Sequence, residues 1–396
     1  MFLEALSRDH EVSLLVVPVA GSDVVDDFVR RRTARVVVLK ADECLDPWFG
    51  LIARVIDTEQ RSVALEAYPL PVLCRLGPPH AVRAAAEQFA GIGFDVVHVF
   101  RLYLAPFAEP FVSTGPSARR PVCVLDLDED EWRTRGRLAE LYALRGDAVR
   151  ARREASEAEK YERLALRCLS QFDRVVVCAS PDRAELSRRF EVAHVEVVPN
   201  AVPVPGAPPR TPEARGAFTI LFVGTLGYFP NEDAVRFLCD EVRPALCAGL
   251  GRSVRVEIVG GGGSDAVRRL AELPGVTLRG HVPDVAPFYA AADVAVAPLR
   301  AGGGTRIKIL EAFAHRVPVV STSIGAEGLE AVPGQHLLVA DDAAGFAAAC
   351  LRLAREPRLG AELAERAHTL TLARYALPSV TAAIERLVVD CARAVR

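Results

Sequence analysis

Short valine-rich apolar runs alternate with helical stretches twice along this chain, and a proline-rich segment separates the two passes. In the first pass residues 11–18, 35–39, 95–100, 121–127 and 174–178 read as strands. Their apolar residues run on rather than alternating, which suits strands covered on both faces and so a parallel sheet. Residues 137–170 read as one long charged helical stretch rich in Ala, Leu, Glu and Arg. The second pass places strands at 218–223, 255–259, 276–278, 294–297, 317–321 and 337–339, with helices between them. Prolines 199, 203, 205, 208 and 209 mark the break. The reading is α/β, with two doubly wound Rossmann-like domains facing a cleft. Residues 1–198 form the N-terminal domain and 199–375 the C-terminal domain. Residues 376–396 read as a helix returning to the first. The first domain begins inside a helix, so its sheet is expected to lack the usual first strand and glycine turn.

Composition narrows the class. Of 396 residues, 51% are hydrophobic and 25% charged, enough for two buried cores. A net charge of -3 gives no electrostatic case for nucleic acid. Nine cysteines without a CxxC pair fit a reduced cytoplasm, and eight histidines without paired spacing give no zinc signature. No apolar run reaches the ~18 residues that span a bilayer. Arg30-Arg31-Arg32 and the arginines between 133 and 153 have two readings: contact with an anionic membrane surface at its inner face, or solvated helix faces.

Chemistry concentrates in Gly302-Gly303-Gly304-Thr305-Arg306-Ile307-Lys308-Ile309-Leu310-Glu311. A glycine turn enters a helix, with Thr305 as the expected N-cap. Arg306 and Lys308 then fall in the first turn, where the helix dipole disfavours cations. A bound anion reverses that argument, because helix starts with glycine-rich entries are phosphate sites. An ordinary charged helix start is the competing reading. The lysine is itself a signal: only Lys40, Lys160 and Lys308 are lysine among 48 basic residues. Gly224–Gly227 and Gly260–Gly263 also follow strands, so three glycine turns are expected on one sheet edge. Ligands in open α/β sheets bind beyond the carboxyl ends of the strands.

The second half resembles the retaining GT-B glycosyltransferases of the GT4 group. The segments that carry the resemblance begin with Phe222-Val223-Gly224-Thr225-Leu226-Gly227-Tyr228-Phe229-Pro230-Asn231. They continue through Val256 to Gly262, Leu278 to Asp284, Tyr289 through Asp293 to Pro298, and Gly303 to Ala312. Pro318 to Thr322 and Gly325 to Leu329 complete them. The order over residues 218–340 is that of the family; the first half matches more loosely. The resemblance implies transfer of a sugar from a nucleoside-diphosphate-sugar to a hydroxyl acceptor, with retention and without a metal or other cofactor. The resemblance leaves the acceptor open among a saccharide, a lipid-linked saccharide and a small molecule. Glu311 would hold the ribose hydroxyls, and Arg306 and Lys308 the diphosphate. Gly224, Thr225 and Gly227 would admit the phosphates, with Gly303, Gly304 and Thr305 around the sugar phosphate. Gly280, His281 and Val282 would line the base pocket. In the N-terminal domain Asp128 or Asp126 would act on the acceptor or the anomeric carbon.

Departures limit this reading. Gly303 stands where many members carry a glutamate that contacts the donor sugar. Tyr228, Pro230 and Asn231 occupy a region where many have Arg and Lys. Asp128 falls near a family histidine, and Asp126-Leu127-Asp128 also resembles a weak metal-binding DxD. The alternatives are a nucleotide-sugar epimerase, a nucleotide-sugar-binding protein without turnover, and a dinucleotide oxidoreductase. The last is disfavoured because Asp265 stands where GxGxxG needs glycine.

Overall fold

The computed structural model describes residues 1–19, 21, 23–112, 120–190, 192, 194–206, 216–251 and 253–394. The chain divides into two compact units: residues 1–198 with 381–396, and Pro199–Val380. The helix Leu377–Ala394 begins in the second unit and continues in the first. Prolines 208 and 209 of the linker, and Val395 and Arg396 of the terminal stretch, lie outside the described residues.

The first unit has two parallel sheets. β1 (Ser13–Val16) pairs β2 (Arg35–Val38). β3 (Val96–Phe100), β4 (Val122–Asp126), β5 (Arg174–Val177) and β6 (Val195–Val197) form the other, in that order. β4 is buried along its whole length, as its Val-Cys-Val-Leu run suggests, and Cys123 and Leu125 are fully enclosed. The stretch expected as one helix is two, Glu131–Leu144 and Ala148–Cys168. Gly146 at φ 76° turns the chain between them, and Asp147 caps the second through the Arg150 amide. β6, just before the first of the break's prolines, was not read as a strand from sequence.

The second unit holds one six-stranded parallel sheet in the order β12-β11-β10-β7-β8-β9. Its strands are β7 (Ala217–Val223), β8 (Ser253–Val259), β9 (Val276–Gly280), β10 (Val294–Ala297), β11 (Val319–Ser321) and β12 (Leu338–Val339). The chain builds outward from β7 to β9, then returns to β10 on the other side of β7. β7 and β10 therefore flank the point where strand order reverses, and a crevice opens there beyond the strand ends. Both faces are covered: one core gathers Phe218, Ile220, Phe222, Val256 and Ile258, the other Leu221, Ala295, Ile309 and Phe313.

Candidate functional site

The three glycine turns meet at the carboxyl edge of this sheet. The Gly224 amide donates to the Val259 carbonyl at 2.9 Å, the Leu226 amide to Gly261 at 2.8 Å, and the Gly260 amide to Gly280 at 2.8 Å. Gly260, at φ +146°, lies so close to the first turn that a Cβ would stand 1.9 Å from the Gly224 oxygen. A Cβ on Gly227 would meet the Gly262 oxygen at 3.2 Å. Much of the glycine content here thus lets two backbone turns zip together. Gly280 ends β9 and His281 and Val282 follow it beside the second turn, with His281 Cβ 3.6 Å from where a Gly261 side chain would begin.

The third turn joins the first through side chains. The helix Ile307–Ala314 starts one residue later than expected: Arg306, not Thr305, occupies the N-cap, without a side-chain cap bond. Arg306 is buried, and its guanidinium donates to the Gly303 carbonyl and, at 3.4 Å, to Ile324. It braces the turn from within, which keeps Gly302 at φ +107° and Gly304 at φ +70° in place. Thr305 Oγ1 is enclosed without a hydrogen-bond partner.

Lys308 reaches back across the strand-order reversal. Its Nζ donates to Asn231 Oδ1 at 2.6 Å and sits 4.2 Å over the Phe222 ring. A Cβ at Gly224 would lie 2.8 Å from that Nζ, so glycine is needed for the amine to sit here. Asn231 also donates from Nδ2 to the Thr225 carbonyl at 2.9 Å, tying lysine to turn. Burial pulls the Lys308 pKa down to about 7, Arg306 adds to that effect, and Glu311 opposes it. One turn along the helix, Glu311 Oε2 lies 3.0 Å from the Tyr289 hydroxyl, which is also 3.1 Å from the Lys308 carbonyl. Burial raises the Glu311 pKa, against the Tyr289 hydrogen bond and Lys308. Asn231, Phe222 and Tyr289 were not singled out as site residues from sequence. Asn231 and Tyr289 do lie within motif segments, but their role depends on contacts across the sheet edge.

In the first unit Asp126 ends β4, buried, with Oδ2 3.5 Å from His98 Nε2. Asp128 faces a different partner: Arg101 Nη2 is 2.8 Å from its Oδ2, and the Cys178 thiol donates to Oδ1 at 3.5 Å. Arg101 also meets Glu129 at 2.8 Å and Glu131 at 3.7 Å. Burial works against the Arg101 charge, and the three carboxylates outweigh it, so its pKa is raised. Arg101 at φ 76° and Asp128 at φ 52° are both left-handed non-glycine residues, a conformation that recurs at functional sites. Arg101 gave no signal in the sequence. Among the described residues no group of three or more His, Cys, Asp or Glu could hold a metal ion.

Residues 217–356 match the family model described as "Glycosyl transferases group 1". No curated protein matches the chain by sequence. Solved structures do resemble it. A sucrose-phosphate synthase from Thermosynechococcus elongatus is 18% identical with a TM-score of 0.69, over 99% of this chain and 92% of that one. The fold is GT-B. A glycosyltransferase from Rickettsia africae superposes at 0.63 with 12% identity, over 98% and 93%. Anabaena HepE, crystallised with UDP and glucose, superposes at 0.61 with 14% identity, over 98% and 94%.

Several arginines of the basic runs have partners within the protein. Arg133 pairs with Asp130, Asp182 and Glu185, and Arg135 with Glu154. Arg30, Arg31 and Arg32 donate to carbonyls of their own short helix region. Among the described residues no helix is long and apolar enough to cross a membrane.

Proposed function

We propose that this chain transfers a sugar from a nucleoside-diphosphate-sugar to a hydroxyl acceptor, with retention at the anomeric carbon and without a metal. The observation that carries this reading is the Lys308–Asn231–Gly224 contact across the reversal point between β7 and β10. It sets an amine where an anion entering the crevice would meet it. The match of residues 217–356 to the group 1 model supports the same reading. The diphosphate gains charge as the glycosidic bond breaks, and a fixed amine aimed at that charge favours the transition state. Glu311, held by Tyr289, is the proposed acceptor of hydrogen bonds from the ribose hydroxyls. Main-chain groups at Gly280–Val282 are the proposed base contacts, and Gly303 and Gly304 present backbone to the sugar. Asp128, with Asp126 beside it on the chain, is the proposed acceptor-side group in the first unit. The acceptor is a saccharide, a lipid-linked saccharide or a small molecule, handled in the cytoplasm or at the inner membrane face.

The test is calorimetric titration with UDP-, ADP- and GDP-glucose, followed by product analysis with a panel of saccharide acceptors. Binding of one donor, lost in Glu311→Ala and Lys308→Ala, supports the assignment. Unchanged affinity in both variants would sink it. An isomerised sugar formed from donor alone would point to an epimerase instead.

A further inference from the structure

The Lys308 amine is held in a place built without an anion. Among the described residues its hydrogen-bond acceptor is the neutral Asn231 amide, whose orientation is fixed by the Nδ2 bond to Thr225. Below it lies the face of Phe222, and beside it the bare Cα of Gly224. Among the described residues it forms no ion pair. The charged groups that act on it are Arg306, which opposes its charge, and Glu311, which favours it. Glu311 is itself engaged by Tyr289, and Glu232, next to Asn231 on its helix, accepts from the Ser264 hydroxyl at 2.8 Å. A carboxamide oxygen accepts a hydrogen bond from an amine and from an ammonium alike, so this pocket holds the nitrogen without fixing its proton.

We propose that Lys308 takes up a proton from solvent as a diphosphate binds, and that Asn231 is the residue that positions it for this exchange. The step makes and breaks no bond except N–H: a neutral amine and one proton become an ammonium beside the bound anion. It rests on the reading of this edge as a diphosphate site. The benefit is physical. A carboxylate at position 231 would keep the lysine charged but would compete with the ligand for it. Asparagine leaves the ammonium's charge uncompensated until the ligand supplies the counter-charge. Burial places the ligand-free titration of Lys308 at about pH 7, where small shifts change its occupancy most.

Only three lysines occur in the chain, so the amine can be watched directly. Protein grown on 13Cε-lysine is titrated by NMR from pH 5.5 to 9.5, with Lys308→Met to assign the signal. The Lys308 signal is expected to inflect near neutrality, while Lys40, paired with Glu43, stays protonated throughout. Asn231→Asp should move the inflection above pH 9, with Asn231→Ala and thermal melts showing that each variant is folded. A ligand-free inflection above pH 9 in the unaltered protein overturns the inference and leaves the donor reading standing. Saturating UDP-glucose, whose diphosphate diester has no proton of its own to release near neutrality, should move the inflection above pH 9. It should also bind with net proton uptake in calorimetry across buffers of different ionisation enthalpy. An inflection near 7 that no nucleoside-diphosphate-glucose shifts would instead overturn the diphosphate reading.

Discussion

Lys308 and Asn231 are 77 positions apart, and their contact ties the third glycine turn to the first. The lysine itself was legible, because a rare lysine at a helix start after glycines has few structural reasons to exist. Its partner was not, since nothing local marks Asn231 as facing the far side of a sheet edge. The arrangement has a cost that can be measured. The folded pKa of about 7 lies below the ordinary 10.5, so between those values the unfolded chain binds more protons. Stability from this group therefore rises with pH across that window, and the penalty is complete below it. Lys308→Met should remove this dependence and raise the ligand-free melting midpoint at pH 6.5 by about 2–4 °C. Thermal melts over a pH series check it; a lower midpoint would show that the lysine supports the fold. Glu311→Gln keeps the shape and the Tyr289 contact but loses the charge. Hydrogen bonds to charged groups contribute about 1–1.5 kcal/mol more than those to neutral ones, so affinity for the donor should fall by about 5- to 10-fold in calorimetry at pH 8.

At the level of elements, strand positions followed from valine-rich runs, and most boundaries moved by a residue or two. The exceptions have local causes. Residues 137–170 share a helical composition, yet Gly146 and Asp147 carry the turn and cap that split them. Thr305 has the right chemistry for an N-cap, but burial of Arg306 against the Gly303 carbonyl shifts the helix start by one. The glycine turns were found as a set, while their mutual packing was not, because it depends on which strands are neighbours. That packing separates two adjacent glycines. Gly260→Ala sets a methyl 1.9 Å from the Gly224 oxygen in a backbone conformation that alanine resists. Gly261→Ala meets nothing closer than 3.6 Å. Chemical denaturation should show a loss of about 2 kcal/mol or more for the first, with donor binding impaired, and within about 0.5 kcal/mol for the second. Equal losses would mean that the two turns relax apart freely.

For the whole molecule, the division into two α/β units could be read from the repeated grammar and the prolines. The split of the first unit into a two-stranded and a four-stranded sheet could not, because strand pairing is a long-range choice. The division also separates the proposed roles. The lysine, the glycine turns and Glu311 all belong to Pro199–Val380, whereas Asp128 and Arg101 belong to the other unit. Donor affinity and turnover should then respond to different substitutions. Asp128→Ala is expected to leave UDP-glucose affinity within about twofold while lowering UDP release in the presence of acceptor by about 100-fold, the lower range for a positioned acid or base. Arg101→Met should act in the same direction, since it frees the Asp128 carboxylate from its 2.8 Å contact. Because Arg101 is paired with three carboxylates, its loss also leaves Glu131 buried without its cation, so a lower melting temperature is expected in that variant alone. Parallel calorimetry and UDP-release assays on both variants decide the matter. Loss of donor affinity in Asp128→Ala would mean that the acidic cluster serves the donor. Unchanged release would remove Asp128 from the chemistry and leave its left-handed pairing with Arg101 a feature of the fold.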